Sequence, residues 1–245
     1  MSSVKKAKKK AGTLDYGMKG RVKMNFAAEE AYRFLRTNIE FSLSTGQEHA
    51  VFGVTSSMKG EGKSTTSLNI AYTLADSGKR VLLLEADMRL PVLAKRLNVP
   101  SAKGLSDILA GTVQPGKAAY KLPDNENLYF IQAGTIPPNP SELLGSERMM
   151  KLLSVLRQSF DYVVVDLPPV QMVADALVVG KKIDGLVVVV RQDYADRRLL
   201  DDTVRQIQSI DAKVLGFVMT YGKTSGGKYG KYGKYKKYQE YSKEK

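Results

Sequence analysis

Short apolar runs alternate with amphipathic stretches along most of this chain, and the two periods predict its elements. Six runs rich in β-branched residues read as strands: Ala50–Thr55, Arg80–Ala86, Leu128–Gln132, Tyr162–Asp166, Gly185–Val190 and Val214–Thr220. Between and around them, apolar residues recur at helical spacing in Ala27–Leu43, Lys63–Ser77, Val92–Leu97, Ser141–Gln158, Ala174–Lys181 and Asp196–Ile210. In the first of these the predicted face is Ala31, Phe34, Leu35 and Asn38/Ile39. Runs such as VVVV at 187–190 are apolar throughout, as strands covered on both faces are. Strand and helix alternation therefore predicts an α/β fold, a parallel sheet with helices on both faces. The irregular stretches are Gly111–Asn127 and the Pro-rich 134–144.

The pattern stops after Tyr221. The segment GGKYGKYGKYKKYQEYSKEK has no Leu, Ile, Val or Phe with which to form a core, and is expected to be a flexible tail. It places Tyr229, Tyr232, Tyr235, Tyr238 and Tyr241 three residues apart. Charge divides the chain the same way. Residues 1–25 hold eight Lys and Arg against Asp15, and residues 223–245 hold eight Lys against Glu240 and Glu244. The remaining 22 basic and 22 acidic residues cancel in 26–222. The expected organisation is a basic flexible arm (1–25), a neutral P-loop domain (26–222) and a tyrosine-rich tail (223–245). A neutral domain argues against a folded nucleic-acid-binding face, so no nucleic-acid partner is expected.

With no cysteine and a single histidine, His49, disulfides, thiolate metal sites and histidine-based triads are excluded or improbable. No run reaches the ~20 apolar residues of a membrane span, and MSSVKKAKKKAG lacks the apolar segment of a signal peptide. A cytoplasmic location is expected.

The chemistry is concentrated at strand ends. The first strand runs into SSMKGEGKST and then a helix, the context in which a P-loop binds phosphate. Gly60 and Gly62 let backbone amides approach phosphate oxygens, Lys63 reaches the β- and γ-phosphates, and Ser64 offers its hydroxyl to Mg²⁺. Lys59, Glu61 and Thr65 complete the nucleotide-binding stretch. Ser57 stands where the strict pattern has its first glycine. Glu85 and Asp87 end a second strand on one side, and Asp166 ends a third. In a parallel sheet these ends converge where ligands bind, and three acids beside a P-loop predict a Mg²⁺ site of Ser64, Asp87 and Asp166. A nucleotide site plus a displayed row of phenols suggests an enzyme that phosphorylates its own tail.

On these residues the chain resembles the bacterial tyrosine kinases (BY-kinases) that control capsule and exopolysaccharide synthesis. The resemblance rests on the P-loop, on EADMRLP, on Asp166 with its following Pro pair, and on the terminal tyrosines. It extends to Glu30, Arg33 and Arg36, which match a family E-x2-R-x2-R motif for contact between subunits. It implies ATP and Mg²⁺ as cofactors and catalysis by Lys63, Glu85, Asp87 and Asp166. It also implies tail phosphorylation between subunits of a homo-oligomeric ring, tyrosine-bearing protein substrates, and recruitment to the inner membrane face by a membrane-spanning chain-length regulator that activates the kinase. Glu85 departs from the family's Asp, whose carboxylate helps deprotonate the acceptor; the extra methylene is expected to impair that role. Lys59 stands where Pro is common. The alternative class is a partition- or septum-positioning-type ATPase. Its signature lysine aligns with Met58, and it has no use for a tyrosine row.

Overall fold

The computed structural model describes residues 24–43 and 49–222. In chain order its elements are α1 (Phe26–Leu43), β1 (Ala50–Ser56), α2 (Lys63–Ala75), β2 (Val81–Glu85), α3 (Leu93–Arg96), α4 (Leu105–Ala110), α5 (Pro115–Ala118), β3 (Tyr120–Lys121), β4 (Leu128–Ile131), α6 (Pro140–Gly145), α7 (Glu147–Ser159), β5 (Tyr162–Asp166), α8 (Asp175–Gly180), β6 (Gly185–Arg191), α9 (Arg197–Ser209) and β7 (Val214–Thr220). The strands form one sheet in the order β3-β4-β2-β5-β1-β6-β7. Every pairing is parallel except the short β3 against β4.

Period-two alternation sorts the sheet's side chains into two cores. Phe52, Val54, Leu83, Val164, Val187 and Val189 pack on one face beneath α1 and α2. Val51, Leu82, Leu84, Val163, Val165 and Val188 pack on the other beneath α7, α8 and α9. This is the doubly covered parallel sheet that the apolar runs predict. The three central strands β2, β5 and β1 lie side by side, so their C-terminal ends meet on one edge. Glu85 pairs in register with Asp166, and Asp166 with Val54 at the foot of the P-loop.

The structure departs from the sequence reading in four places. The helix predicted over Ser141–Gln158 is two helices, α6 and α7. Ser146 breaks it by capping α7, its side chain accepting from the Met149 amide at 3.3 Å. Residues 111–127, read as irregular, contain α5 and the edge strand β3. α4 is absent from the predicted elements; its first amides, Leu105 and Ser106, donate to the carbonyls of Gln132 and Ala133 beyond β4, partners far away in sequence. Finally, Ala31 and Phe34 do not belong to the buried face of α1: both are exposed, Phe34 by 54%, whereas Ile39 and Leu43 are buried and Tyr32 and Leu35 pack beside them. Successive residues step ~100° around a helix, and the face that meets α2 is the one carrying Leu35 and Ile39.

That assignment gives a contrast in stability. Ile39→Ala should cost about 2–4 kcal/mol, and Phe34→Ala should stay within about 0.5 kcal/mol of wild type. Urea denaturation of the two variants measures both.

Candidate functional site

β1 ends at Ser56, and the chain turns through residues 57–62 into the first turn of α2. Two left-handed glycines make that turn, Gly60 at φ 85° and Gly62 at φ 97°. Side chains from the neighbouring strand ends hold the loop's carbonyls. The Tyr194 hydroxyl donates to Lys59 O at 3.2 Å, Arg191 to Gly60 O at 3.1 Å and Thr220 Oγ1 to Glu61 O at 2.7 Å. Arg191 lies over the rings of both Tyr194 and Tyr221, 4.8 and 4.2 Å from their centres. With successive carbonyls tied on this side, the loop keeps the amide concavity that binds anions. Lys59 and Gly60 are exposed at its tip, while Glu61 is buried and Oε2 accepts from the Met58 amide at 2.9 Å. Thr65 Oγ1 accepts from Arg96 of α3.

Lys63 is where the strand ends converge. Its ammonium donates to Asp87 Oδ2 at 2.7 Å and to Ser64 Oγ at 3.3 Å, and Asp166 Oδ2 stands 3.9 Å away. Burial by itself lowers the pKa of Lys63. Asp166, then Asp87 through its charge and its hydrogen bond, outweigh burial and hold it above the ordinary value. Asp166 is fully enclosed. Burial pushes its carboxyl up, against the pull of Lys63 and of the Ser64 and Ser67 hydroxyls. Ser67 Oγ donates to Asp166 Oδ1 at 3.0 Å, and Asp166 Oδ2 is buried without a hydrogen-bond partner among the described residues.

Those donors fit a hard divalent cation. An orphaned carboxylate oxygen beside a hydroxyl and a second carboxylate suits Mg²⁺, which takes one or two carboxylates and completes its shell with phosphate and water. Among the described residues no cluster of three or more His, Cys, Asp or Glu is arranged to hold a metal alone, so the phosphates would be part of the site.

Glu85 is placed differently. It is fully buried, and its oxygens accept from the amides of Val92 (2.7 Å), Leu93 (2.6 Å) and Ala133 (3.3 Å). Burial raises its pKa, as does Asp166 beside it, and the three amides oppose the rise.

Sequence reasoning missed the clamp around Arg89. Its guanidinium makes a bidentate pair with the fully buried Asp175, at 2.8 and 3.1 Å, and donates to Ser141 Oγ at 3.1 Å. Glu85, Asp87 and Arg89 are alternate residues, the one available signal; nothing marks Asp175, which reads as an ordinary first-turn acid. The Glu30/Arg33/Arg36 set is not one displayed face. Arg33 pairs with Glu30 at 2.5 Å, whereas Arg36 turns toward α2 and donates to Thr73 O at 3.1 Å. The five tail tyrosines lie outside the described residues.

A parallel sheet with this loop and these acids defines a P-loop nucleotide-binding protein, and residues 51–215 match the family described as AAA domain. Within that class, the chain belongs to the bacterial tyrosine kinases. It is 33% identical over 202 residues to tyrosine-protein kinase CpsD of Streptococcus agalactiae, covering 82% of this chain and 86% of that one. To tyrosine-protein kinase YwqD of Bacillus subtilis it is 35% identical over 196 residues, 80% and 82% of the two chains. Its fold superposes on the kinase domain of the Escherichia coli tyrosine kinase ETK with a TM-score of 0.74 at 29% identity, covering 82% of this chain and 80% of that structure.

Gly62 tests the loop. A side chain there is held in the left-handed region and meets Thr220 Cγ2 at 3.4 Å. Gly62→Ala should cost about 1–2 kcal/mol of stability and weaken binding of a fluorescent ATP analogue by at least about tenfold, ~1.4 kcal/mol. A denaturation curve and a fluorescence titration read the two effects separately.

Proposed function

We propose that this protein-tyrosine kinase transfers the γ-phosphoryl group of ATP to the tyrosines of its own C-terminal segment, Tyr229, Tyr232, Tyr235, Tyr238 and Tyr241, one subunit acting on the next. The observation that carries the reading is the convergence of Asp87 and Asp166 on Lys63, beside a P-loop in a chain that ends in a tyrosine row.

Lys63 and the amides of residues 59–65 hold the phosphates. Ser64, Asp87 and Asp166 would hold Mg²⁺, Asp166 through a water. A divalent cation held there would supply positive charge beside the transferred phosphoryl group. The phenolic oxygen forms its bond to the γ-phosphorus as the bond to ADP breaks, and the phenolic proton passes to a carboxylate at the end of β2. A phenol has a pKa of about 10, so the site must supply both a base and a nearby cation for the attack. The tail's lysines carry the acceptors toward an ATP-bearing, acidic edge. A Klebsiella pneumoniae relative, 31% identical, is named a putative tyrosine-protein kinase in the cps region, and by analogy the phosphorylation controls polysaccharide synthesis. A membrane-spanning activator recruits the kinase to the inner membrane face; no helix among the described residues is long and apolar enough to cross the membrane itself.

Mass mapping of phosphotyrosine after incubation with Mg-ATP tests the reading. Lys63→Met should lower tail phosphorylation by at least about 100-fold while circular dichroism still shows the folded domain. Unchanged phosphotyrosine in the purified variant would refute it.

Subunit contact rests on Arg33, whose side chain is 59% exposed, more than on Arg36, which is engaged with α2. Arg33→Ala should shift light-scattering mass toward the monomer and slow phosphorylation between subunits, leaving ATP affinity unchanged. Arg36→Ala should lower the melting temperature as well.

A further inference from the structure

The longer side chain at Glu85 has a use that an aspartate does not serve. Glu85 ends β2 with no exposed surface. Oε1 takes the amides of Val92 and Leu93, at 2.7 and 2.6 Å, where the chain enters α3. Those are first-turn amides, which have no partner inside their own helix. Oε2 reaches across to the Ala133 amide beyond β4. One carboxylate thus ties the start of the loop 86–91 to its far end and to the neighbouring strand.

Asp87 sits inside that tied arch. Oδ1 accepts from the Leu90 amide at 3.1 Å, and Oδ2 faces Lys63. The path of the arch therefore decides where the Asp87 carboxylate stands relative to Lys63. A side chain one methylene shorter draws back by about 1.5 Å, which lengthens bonds of 2.6–2.7 Å beyond the ~3.2 Å limit of a good hydrogen bond. A general base, by contrast, needs a free lone pair within about 3.2 Å of the proton it takes. Glu85 has no surface open to a substrate phenol, and its oxygens face three backbone amides inside the core.

We infer that Glu85 is a positioning residue that fixes the Asp87 loop through the Val92, Leu93 and Ala133 amides. This rests on the kinase reading above. It reverses the expectation that glutamate at this position impairs the site: here the glutamate is the fitting length.

The test compares Glu85→Gln with Glu85→Asp in the full chain. Glutamine cannot act as a base, but its carbonyl oxygen can still accept both the Val92 and Leu93 amides. Aspartate keeps the charge and loses the reach. The first readout is the initial rate of tail phosphotyrosine formation at saturating Mg-ATP. The second is hydrogen exchange of the Val92, Leu93 and Ala133 amides, which does not depend on activity. Glu85→Gln should be faster than Glu85→Asp by about tenfold or more, since a displaced catalytic group is costly. The three amides should exchange at least tenfold faster in Glu85→Asp than in wild type. The opposite order of rates, or amides that exchange alike in wild type and Glu85→Asp, overturns the assignment. If Glu85→Gln fails to fold, Glu85→Asp decides alone: a rate at or above wild type overturns it. If wild type itself makes no phosphotyrosine, the kinase reading has failed, and the amide exchange still decides the role of Glu85.

Discussion

The Lys63 ammonium lies 2.7 Å from Asp87 and 3.9 Å from Asp166, with the three side chains 12%, 6% and 0% exposed. Charges removed from water to this degree are tolerable only when they compensate one another, because breaking such a set leaves an uncompensated ion at a cost of about 3–5 kcal/mol. The cluster is net negative by itself, which is why burial and mutual repulsion push Asp166 and Glu85 upward while Lys63 is held firmly protonated. A site with this balance has a use for a cation. Mg²⁺, and on the proposed reading the lysine-rich tail, would supply positive charge where the protein has too little.

Topology brings these groups together. The order β2-β5-β1 places three strand ends side by side, and parallel register sets Glu85 opposite Asp166. Each strand end then continues into a loop that is tied elsewhere. The P-loop is fastened by Tyr194, Arg191 and Thr220 at the ends of β6 and β7. The β2 loop is fastened by Glu85 to α3 and β4, and by Arg89 to Asp175 and Ser141. Loops held at both ends can present catalytic groups without rebuilding when substrate arrives, which is what a positioned phosphoryl-transfer site requires.

How far the sequence reveals this depends on the range of the interaction concerned. Strands with period-two or fully apolar runs, the glycines of the P-loop and the acids at strand ends are local signals, and they are legible. α4 is short and depends on carbonyls beyond β4, far away in sequence, and β3 has only two residues, so no local period announces them. The split between α6 and α7 turns on the cap at Ser146, which a continuous apolar pattern hides. The role of Glu85 is not legible because its partners stand 7, 8 and 48 residues away, and that of Asp175 because Arg89 stands 86 residues before it. Phe34 reads as core because helical spacing defines a stripe without saying which edge of it meets α2.

The division of charge along the chain follows from the same physics. A domain whose 22 acidic and 22 basic residues cancel exerts little long-range field, so attraction is left to the site and to the segments that carry the surplus. In residues 223–245 the tyrosines alternate with lysines, so on the proposed reading each tyrosine would arrive with the charge that the acidic edge and the ATP phosphates lack. Phosphorylation adds about −1.5 to −2 charge per tyrosine, against eight Lys and two Glu in that segment. Five phosphates would outweigh the lysines. On the proposed reading, a tail of reversed sign would be repelled by an acidic, ATP-bearing site, so the same sequence that would draw the tail in would also provide for its release.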